Sequence, residues 1–251
     1  MNVENIETPE QCGRLVTYYI DDYGMAQPFF TSDDGVLDTE VQRRQSRSRM
    51  PAEYAYKKPA DFRWNDYGEN MDSQKKILNA FITNYTEWQR FGRGLYLYSK
   101  TKGSGKTLMA CCIGNELIRR RGISVKFVMA QEYIELIRDN TDEGREIIKS
   151  IKECDLLILD DIGAEHSGKE WVNDVIFSLV NHRDSRNYTT IYTSNFSLDD
   201  LKEDERTVDR IIGHSIPVPF PEISIRRKQA REQAKKFINK ALENENSEVV
   251  F

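Results

Sequence analysis

Residues 95–107 read Leu95-Tyr96-Leu97-Tyr98-Ser99-Lys100-Thr101-Lys102-Gly103-Ser104-Gly105-Lys106-Thr107. An alternating run with strand character enters a glycine-rich turn, and a helix is predicted over Thr107–Arg121. This order of elements is the one that holds the phosphates of a nucleoside triphosphate. The turn leaves backbone N–H groups pointing inward, and the helix brings its positive end to the same place. Thr101, Lys102, Gly103, Ser104, Gly105, Lys106, Thr107 and Leu108 are the candidate nucleotide-binding residues. Lys106 would carry a mobile charge to the β and γ phosphates, and the Thr107 hydroxyl would ligate Mg²⁺. The full pattern has a glycine where this chain has Lys100, so the loop requires a negative φ at that position. A lysine-rich hairpin that happens to contain Gly-Ser-Gly-Lys-Thr is the plainer alternative.

A second segment, Cys154-Asp155-Leu156-Leu157-Ile158-Leu159-Asp160-Asp161-Ile162-Gly163-Ala164-Glu165, supports the first. The aliphatic run Leu156–Leu159 suits a parallel strand buried on both faces. It ends in two adjacent carboxylates, at the sheet edge where ligands collect in parallel α/β proteins. Asp160 fits the acid that holds Mg²⁺, and Asp161 fits one that positions or polarises a water. A third segment, Tyr188–Thr193, has the β-branched and aromatic alternation of a strand and runs into Ser194-Asn195-Phe196. The Asn195 amide could reach both a γ phosphate and a lytic water. By themselves, two acids at a strand end are equally a solvated cap, and an Asn after a strand is equally a turn residue.

Together these segments resemble the AAA+ ATPases, and within them the helicase-loader branch typified by DnaC and DnaI, with the transposition ATPase IstB as a near relative. The residues that carry the resemblance are Gly94–Tyr98 with Gly103–Leu108, Leu156–Glu165 and Thr193–Phe196, within a span of roughly residues 50–227. Arg183 also fits that branch's helix-to-strand pattern. The loader branch uses Asp-Asp where most AAA+ proteins use Asp-Glu, in agreement with Asp160-Asp161. An Asp reaches less far than a Glu, so slow hydrolysis is expected.

The resemblance implies a three-layer α/β AAA+ P-loop domain with a parallel sheet, a small N-terminal module and a reduced C-terminal helical lid. It implies ATP and Mg²⁺ as cofactors, and a replicative DNA helicase, single-stranded DNA and further copies of the chain as partners. A transposase is the alternative client. It also implies an arginine reaching into a neighbouring subunit's site. Arg210, in Val208-Asp209-Arg210-Ile211, fits this best, ahead of Arg206. A surface helix laced with charged pairs would use the same residues. Arg226 and Arg227 sit where a second nucleotide-sensing arginine is expected, and Arg227 is taken as the candidate.

Hydrophobic content of 39% and charged content of 31% suit a globular protein of 251 residues. No aliphatic run is long enough to span a membrane, and residues 1–7 lack the features of a secretory signal, so a cytoplasmic location is expected. Cys12, Cys111, Cys112 and Cys154 show no C-x-x-C spacing and read as free thiols. The net charge is −5 but segregated. Glu4, Glu7, Glu10, Asp21, Asp22, Asp33, Asp34, Asp38 and Glu40 face a single base, Arg14, before a basic stretch begins at Arg43.

The break at Met50-Pro51 sets off residues 1–50, expected to be a partner-binding module; beyond it the resemblance implies an entry segment along the nucleotide base (51–93), the ATPase core (94–213) and a C-terminal extended segment with a helix (214–251). The entry segment carries Phe62, Trp64 and Tyr67 and a helix predicted over Ser73–Trp88. Further helices are predicted over Glu132–Asp139, Arg145–Ile151, Glu170–Arg183 and Ser224–Leu242, with a strand over Ser124–Met129. The helix pair between Met129 and Leu156 falls where initiator and loader ATPases place a helix that faces DNA.

Overall fold

The computed structural model describes residues 17–20, 26–29, 39–164 and 170–243. Most of the acidic N-terminal stretch, Cys12, Glu165 and residues 244–251 lie outside them. A short antiparallel hairpin, β1 (Thr17–Ile20) with β2 (Ala26–Phe29), precedes α1 (Thr39–Arg47). α1 is joined to the rest of the protein. Val41 and Met50 are buried in the main core, the Phe127 N–H donates to Ser48 O at 2.7 Å, and Arg49 pairs with Glu132. Residues 39–50, which composition groups with the N-terminal module, therefore pack on the ATPase core.

Two 3₁₀ turns, Pro59–Asp61 and Trp64–Tyr67, lead into α2 (Asp72–Thr83) and α3 (Tyr85–Arg90). The single helix expected over Ser73–Trp88 is thus two. Asn84, at φ −107° and ψ 27°, both ends α2 and starts α3. The break lets Tyr85 and Trp88 each set a ring edge against Phe81.

The core follows as β3 (Gly94–Tyr98), α4 (Lys106–Arg121), β4 (Val125–Met129), α5 (Ala130–Asp139), α6 (Asp142–Glu153), β5 (Leu156–Ile162), α7 (Glu170–Asp184), β6 (Thr189–Ser194), α8 (Glu205–His214), β7 (Ser215–Pro219) and α9 (Ile225–Glu243). The sheet is parallel throughout, in the order β4-β5-β6-β3-β7. One face packs Leu95, Leu97, Phe127, Ile158 and Val218 against α1, α2 and α4. The other packs Tyr96, Val128, Leu159 and Tyr192 against α5, α7 and α8. Burial of each such aliphatic side chain is worth about 1.5–3 kcal/mol, and alternation along each strand supplies both layers.

Pro217, Pro219 and Pro221 predict an extended backbone over Ile212–Pro221. The segment forms the last turn of α8 and the strand β7. Pro217 and Pro219 are tolerated because β7 is an edge strand, with its unpaired side free of any ladder bond.

Arg183 proves to be a core residue. It is 1% exposed and donates to the carbonyls of Ile151, Lys152, Cys154 and Thr189 and to Thr190 Oγ1, at 2.7–3.1 Å. It ties the end of α6 to the start of β6 and is not available to act on another molecule. Arg183→Met should leave several buried carbonyls unpaired, at about 1–3 kcal/mol each. A thermal unfolding midpoint lower by at least about 6 °C is expected, and an unchanged midpoint would contradict this role.

Cys111, Cys112 and Cys154 are free and buried. Among the described residues no helix is long and apolar enough to cross a membrane.

Candidate active site

The loop after β3 and the ends of β5 and β6 meet at the C-terminal edge of the sheet. Gly103 and Gly105 have φ of +77° and +94°, which side chains rarely adopt. A Cβ on Gly105 would also come within 2.8 Å of Ile225 and 3.0 Å of Phe62. Lys100 is not among the described residues with positive φ, so a side chain is accommodated where the full pattern has glycine. It points outward to Asp200 at 3.5 Å, and Lys102 is exposed.

Lys106 turns inward. Its Nζ donates to Asn195 Oδ1 (3.1 Å), Ser99 O (3.2 Å), Thr101 O (3.3 Å) and Ser104 Oγ (3.3 Å). These acceptors are neutral, and burial lowers the ammonium to about 8, against opposing pulls from Asp161 and Asp160. Asn195 bridges the centre, accepting from Lys106 through Oδ1 and donating from Nδ2 to Asp161 Oδ1 at 2.6 Å. Asp160 Oδ1 accepts from Thr107 Oγ1 (2.8 Å) and Thr193 Oγ1 (2.5 Å). Burial raises the Asp160 carboxyl above its ordinary value.

The sequence candidates Lys106, Thr107, Asp160, Asp161 and Asn195 therefore form one connected constellation. A buried ammonium held by neutral acceptors suits an incoming phosphate. A buried carboxylate beside a threonine hydroxyl suits a hard divalent cation, for which oxygen donors are preferred. Met129, Ala130, Gln131 and Ala164 line a cleft beside Asp160 and Asp161. Among the described residues no group of three or more His, Cys, Asp or Glu side chains is placed to hold a metal, so the pair Asp160 and Thr107 would have to be completed by other oxygen donors.

The loop is supported from behind. Tyr67 Oη donates to Ser104 O at 2.5 Å. Phe62 and Tyr67 are buried among Trp64 and Phe220, with Phe62 lying under Gly105. α9 starts against the same loop, where the Arg226 N–H donates to Gly103 O at 3.1 Å. Lys228 and Gln229 of α9 both bond Asp66, and Glu232 pairs with Arg63.

The two C-terminal arginines stand differently to the loop. The Arg226 Cβ lies 3.1 Å from a Cβ built on Gly103, and its like charge disfavours the protonated form of Lys106. Both arginines are exposed; the Arg226 guanidinium donates to Tyr54 Oη at 3.4 Å, and Arg227 is one helical step of about 100° further round. Sequence spacing cannot separate neighbours whose difference is helix rotation.

On α8, Arg210 pairs with Asp184 and Arg206 with Asp204; both guanidinium groups lie over the Phe177 ring, at 5.7 and 4.5 Å. His214 also reaches Asp184, at 2.7 Å. Thr193 and Tyr67 belong to segments the sequence singles out, but their contacts, with Asp160 and with Ser104 O, are set by the fold. Thr193 opens the Thr193–Phe196 motif, and Tyr67 is remote from the loop in the chain.

A pH effect follows from Lys106. Phosphate binding favours the protonated amine, so ATP affinity should be flat below about pH 8. Above it, affinity should fall by up to tenfold per pH unit until the pKa of the bound state is reached. Equilibrium titrations with a fluorescent ATP analogue between pH 6.5 and 9.5 would show this. A flat profile would mean that Lys106 does not make the charge contact.

The "IstB-like ATP binding protein" family model matches residues 29–234. The chain is 39% identical over 128 residues to the replicative helicase loader DnaI of Bacillus subtilis, covering 50% of this chain but only 40% of that relative. It is 30% identical over 174 residues to the replicative helicase loader DnaC of Buchnera aphidicola subsp. Baizongia pistaciae, covering 66% of this chain and 69% of the relative. The crystal structure of DnaI superposes with a TM-score of 0.57 at 30% identity, over 69% of this chain and 95% of that one. With its parallel sheet, glycine-rich phosphate loop and strand-end acids, the chain belongs to the IstB-like ATP-binding family of AAA+ P-loop proteins.

Proposed function

We propose that the protein is an ATP-dependent loader or regulator of a replicative DNA helicase. It would bind Mg-ATP in the P-loop, hydrolyse it slowly between adjacent copies, and contact single-stranded DNA. The observation that carries the reading is the linked set Lys106–Asn195–Asp161 and Thr107–Asp160–Thr193 at one sheet edge. The named loaders among its relatives supply the client.

In this reading the backbone N–H groups of residues 103–107 and the Lys106 ammonium bind phosphate, and Thr107 and Asp160 hold the metal. Bound Mg²⁺ would neutralise charge on the phosphates. Asp161, steadied by the Asn195 amide, orients the attacking water and accepts its proton. Arg226 senses the nucleotide beside Gly103. Arg210 reaches a neighbouring copy once released from Asp184, where a guanidinium suits phosphate because it is always charged and bonds it bidentately.

The test is co-elution of the protein with the hexameric replicative helicase of its source organism, with and without ATP, alongside phosphate release with single-stranded DNA. Complex formation with ATP-dependent turnover is expected. Binding to a transposase instead would favour an IstB-like regulator, a second reading that the family match supports. For the trans role, Arg210→Ala should bind ATP normally and hydrolyse it poorly. Mixing it with Lys106→Ala under assembling conditions should restore some turnover. A mixture that stays inactive while wild type turns over would exclude Arg210 and leave Arg206 as the candidate.

A further inference from the structure

The two acids of the site are consecutive in β5, and consecutive side chains of a regular strand point to opposite faces. Both nevertheless serve one edge. The register with β6 shows how: Leu159 pairs with Tyr192, and the next pair is Ile162 with Ser194. Two residues of β5, Asp160 and Asp161, therefore stand opposite one residue of β6, Thr193. This is a β-bulge, a device that re-aims a side chain and breaks the ladder locally. Asp161 takes φ +58°, in the left-handed region. The bulge leaves the Asp161 N–H without a ladder partner, and a buried orphan donor is costly.

The partner it finds is a side chain. The Asp161 N–H donates to Thr193 Oγ1 at 3.0 Å, and the same hydroxyl donates its own proton to Asp160 Oδ1 at 2.5 Å. Thr193 is 1% exposed, so water does not compete for these bonds. One hydroxyl thus accepts from the backbone of one acid and donates to the carboxylate of the other. We infer that Thr193 is a positioning residue, whose hydroxyl replaces the missing ladder bond and holds Asp160 and Asp161 on the same side of the sheet edge. This rests on the proposed Mg-ATP site, and it adds a residue that neither touches the nucleotide nor belongs to the phosphate loop.

The test separates the hydroxyl from the shape of the side chain. Thr193→Val keeps the volume and β-branching and removes both bonds, whereas Thr193→Ser keeps the hydroxyl. Each variant is titrated with a fluorescent ATP analogue at a series of Mg²⁺ concentrations, and phosphate release is measured in parallel. Thr193→Val should bind nucleotide without metal within about twofold of wild type. It should need at least about fivefold more Mg²⁺ for half-saturation and should lose at least about tenfold in kcat with little change in KM. Thr193→Ser should stay within about threefold of wild type in every readout. Should Thr193→Val fail to fold, Thr193→Cys against Thr193→Ser makes the same comparison, since a thiol is the weaker hydrogen-bonding group.

A Val or Cys variant with wild-type Mg²⁺ dependence and turnover would overturn the inference. So would a folded Ser variant as impaired as Val. Failure of the underlying reading looks different, because wild type itself would then show no Mg²⁺-dependent nucleotide binding.

Discussion

Lys106→Ala is expected to abolish ATP binding, raising the dissociation constant at least about 100-fold, or roughly 2.7 kcal/mol. The size follows from placement. Of the lysines in the loop, Lys106 alone is turned into the site, 6% exposed and surrounded by Asn195, Ser99, Thr101 and Ser104. Its ammonium has already lost much of its hydration, so a phosphate gains nearly the full charge interaction. Lys100→Ala and Lys102→Ala should change affinity less than about threefold, since one pairs with Asp200 at the surface and the other is exposed. Titration of the three variants decides the matter. If Lys100→Ala were as damaging as Lys106→Ala, the loop would bind phosphate in another way.

Asp161→Asn should retain Mg-ATP and lose turnover by at least about 100-fold, a barrier increase near 2.7 kcal/mol. Asn occupies the left-handed region as readily as Asp, so φ +58° and the bulge are preserved and only the charge is removed. An amide cannot accept the proton of the attacking water. Asp160→Asn should act differently, weakening the dependence of nucleotide binding on Mg²⁺, because Asp160 is the acid hydrogen-bonded to Thr107. Nucleotide titrations with and without Mg²⁺, with phosphate release beside them, separate the two. Identical behaviour of the variants would mean that the acids do not divide the work in this way.

The chemistry of the site was legible because its parts are local. Gly103, Gly105, Lys106 and Thr107 make their turn from adjacent residues, and Leu156–Leu159 declares a buried strand by composition. Three features depend on context. The prolines of β7 agree with its extended backbone, and its pairing as an edge strand is a matter of sheet order. The helix expected over Ser73–Trp88 breaks at Asn84, where Tyr85 and Trp88 turn onto Phe81. Arg183 fits the helix-to-strand pattern of the resemblance, and the fold buries it among carbonyls contributed by α6 and β6.

By itself the sequence determined the order of strands and helices from β3 to β6, the glycine-rich loop, the two acids and the polar Asn195, since propensity, periodicity and turn chemistry act between near neighbours. The tertiary structure decided what depends on elements far apart in the chain. It set the strand order, which brings β5 and β6 beside the loop after β3. It set the rotation of α9, which presents Arg226 and not Arg227 to Gly103. It also set the register between β5 and β6, whose one-residue bulge turns two consecutive acids to one edge under a single threonine hydroxyl. Register and rotation are fixed by packing over the whole core, and no short window of sequence contains that information.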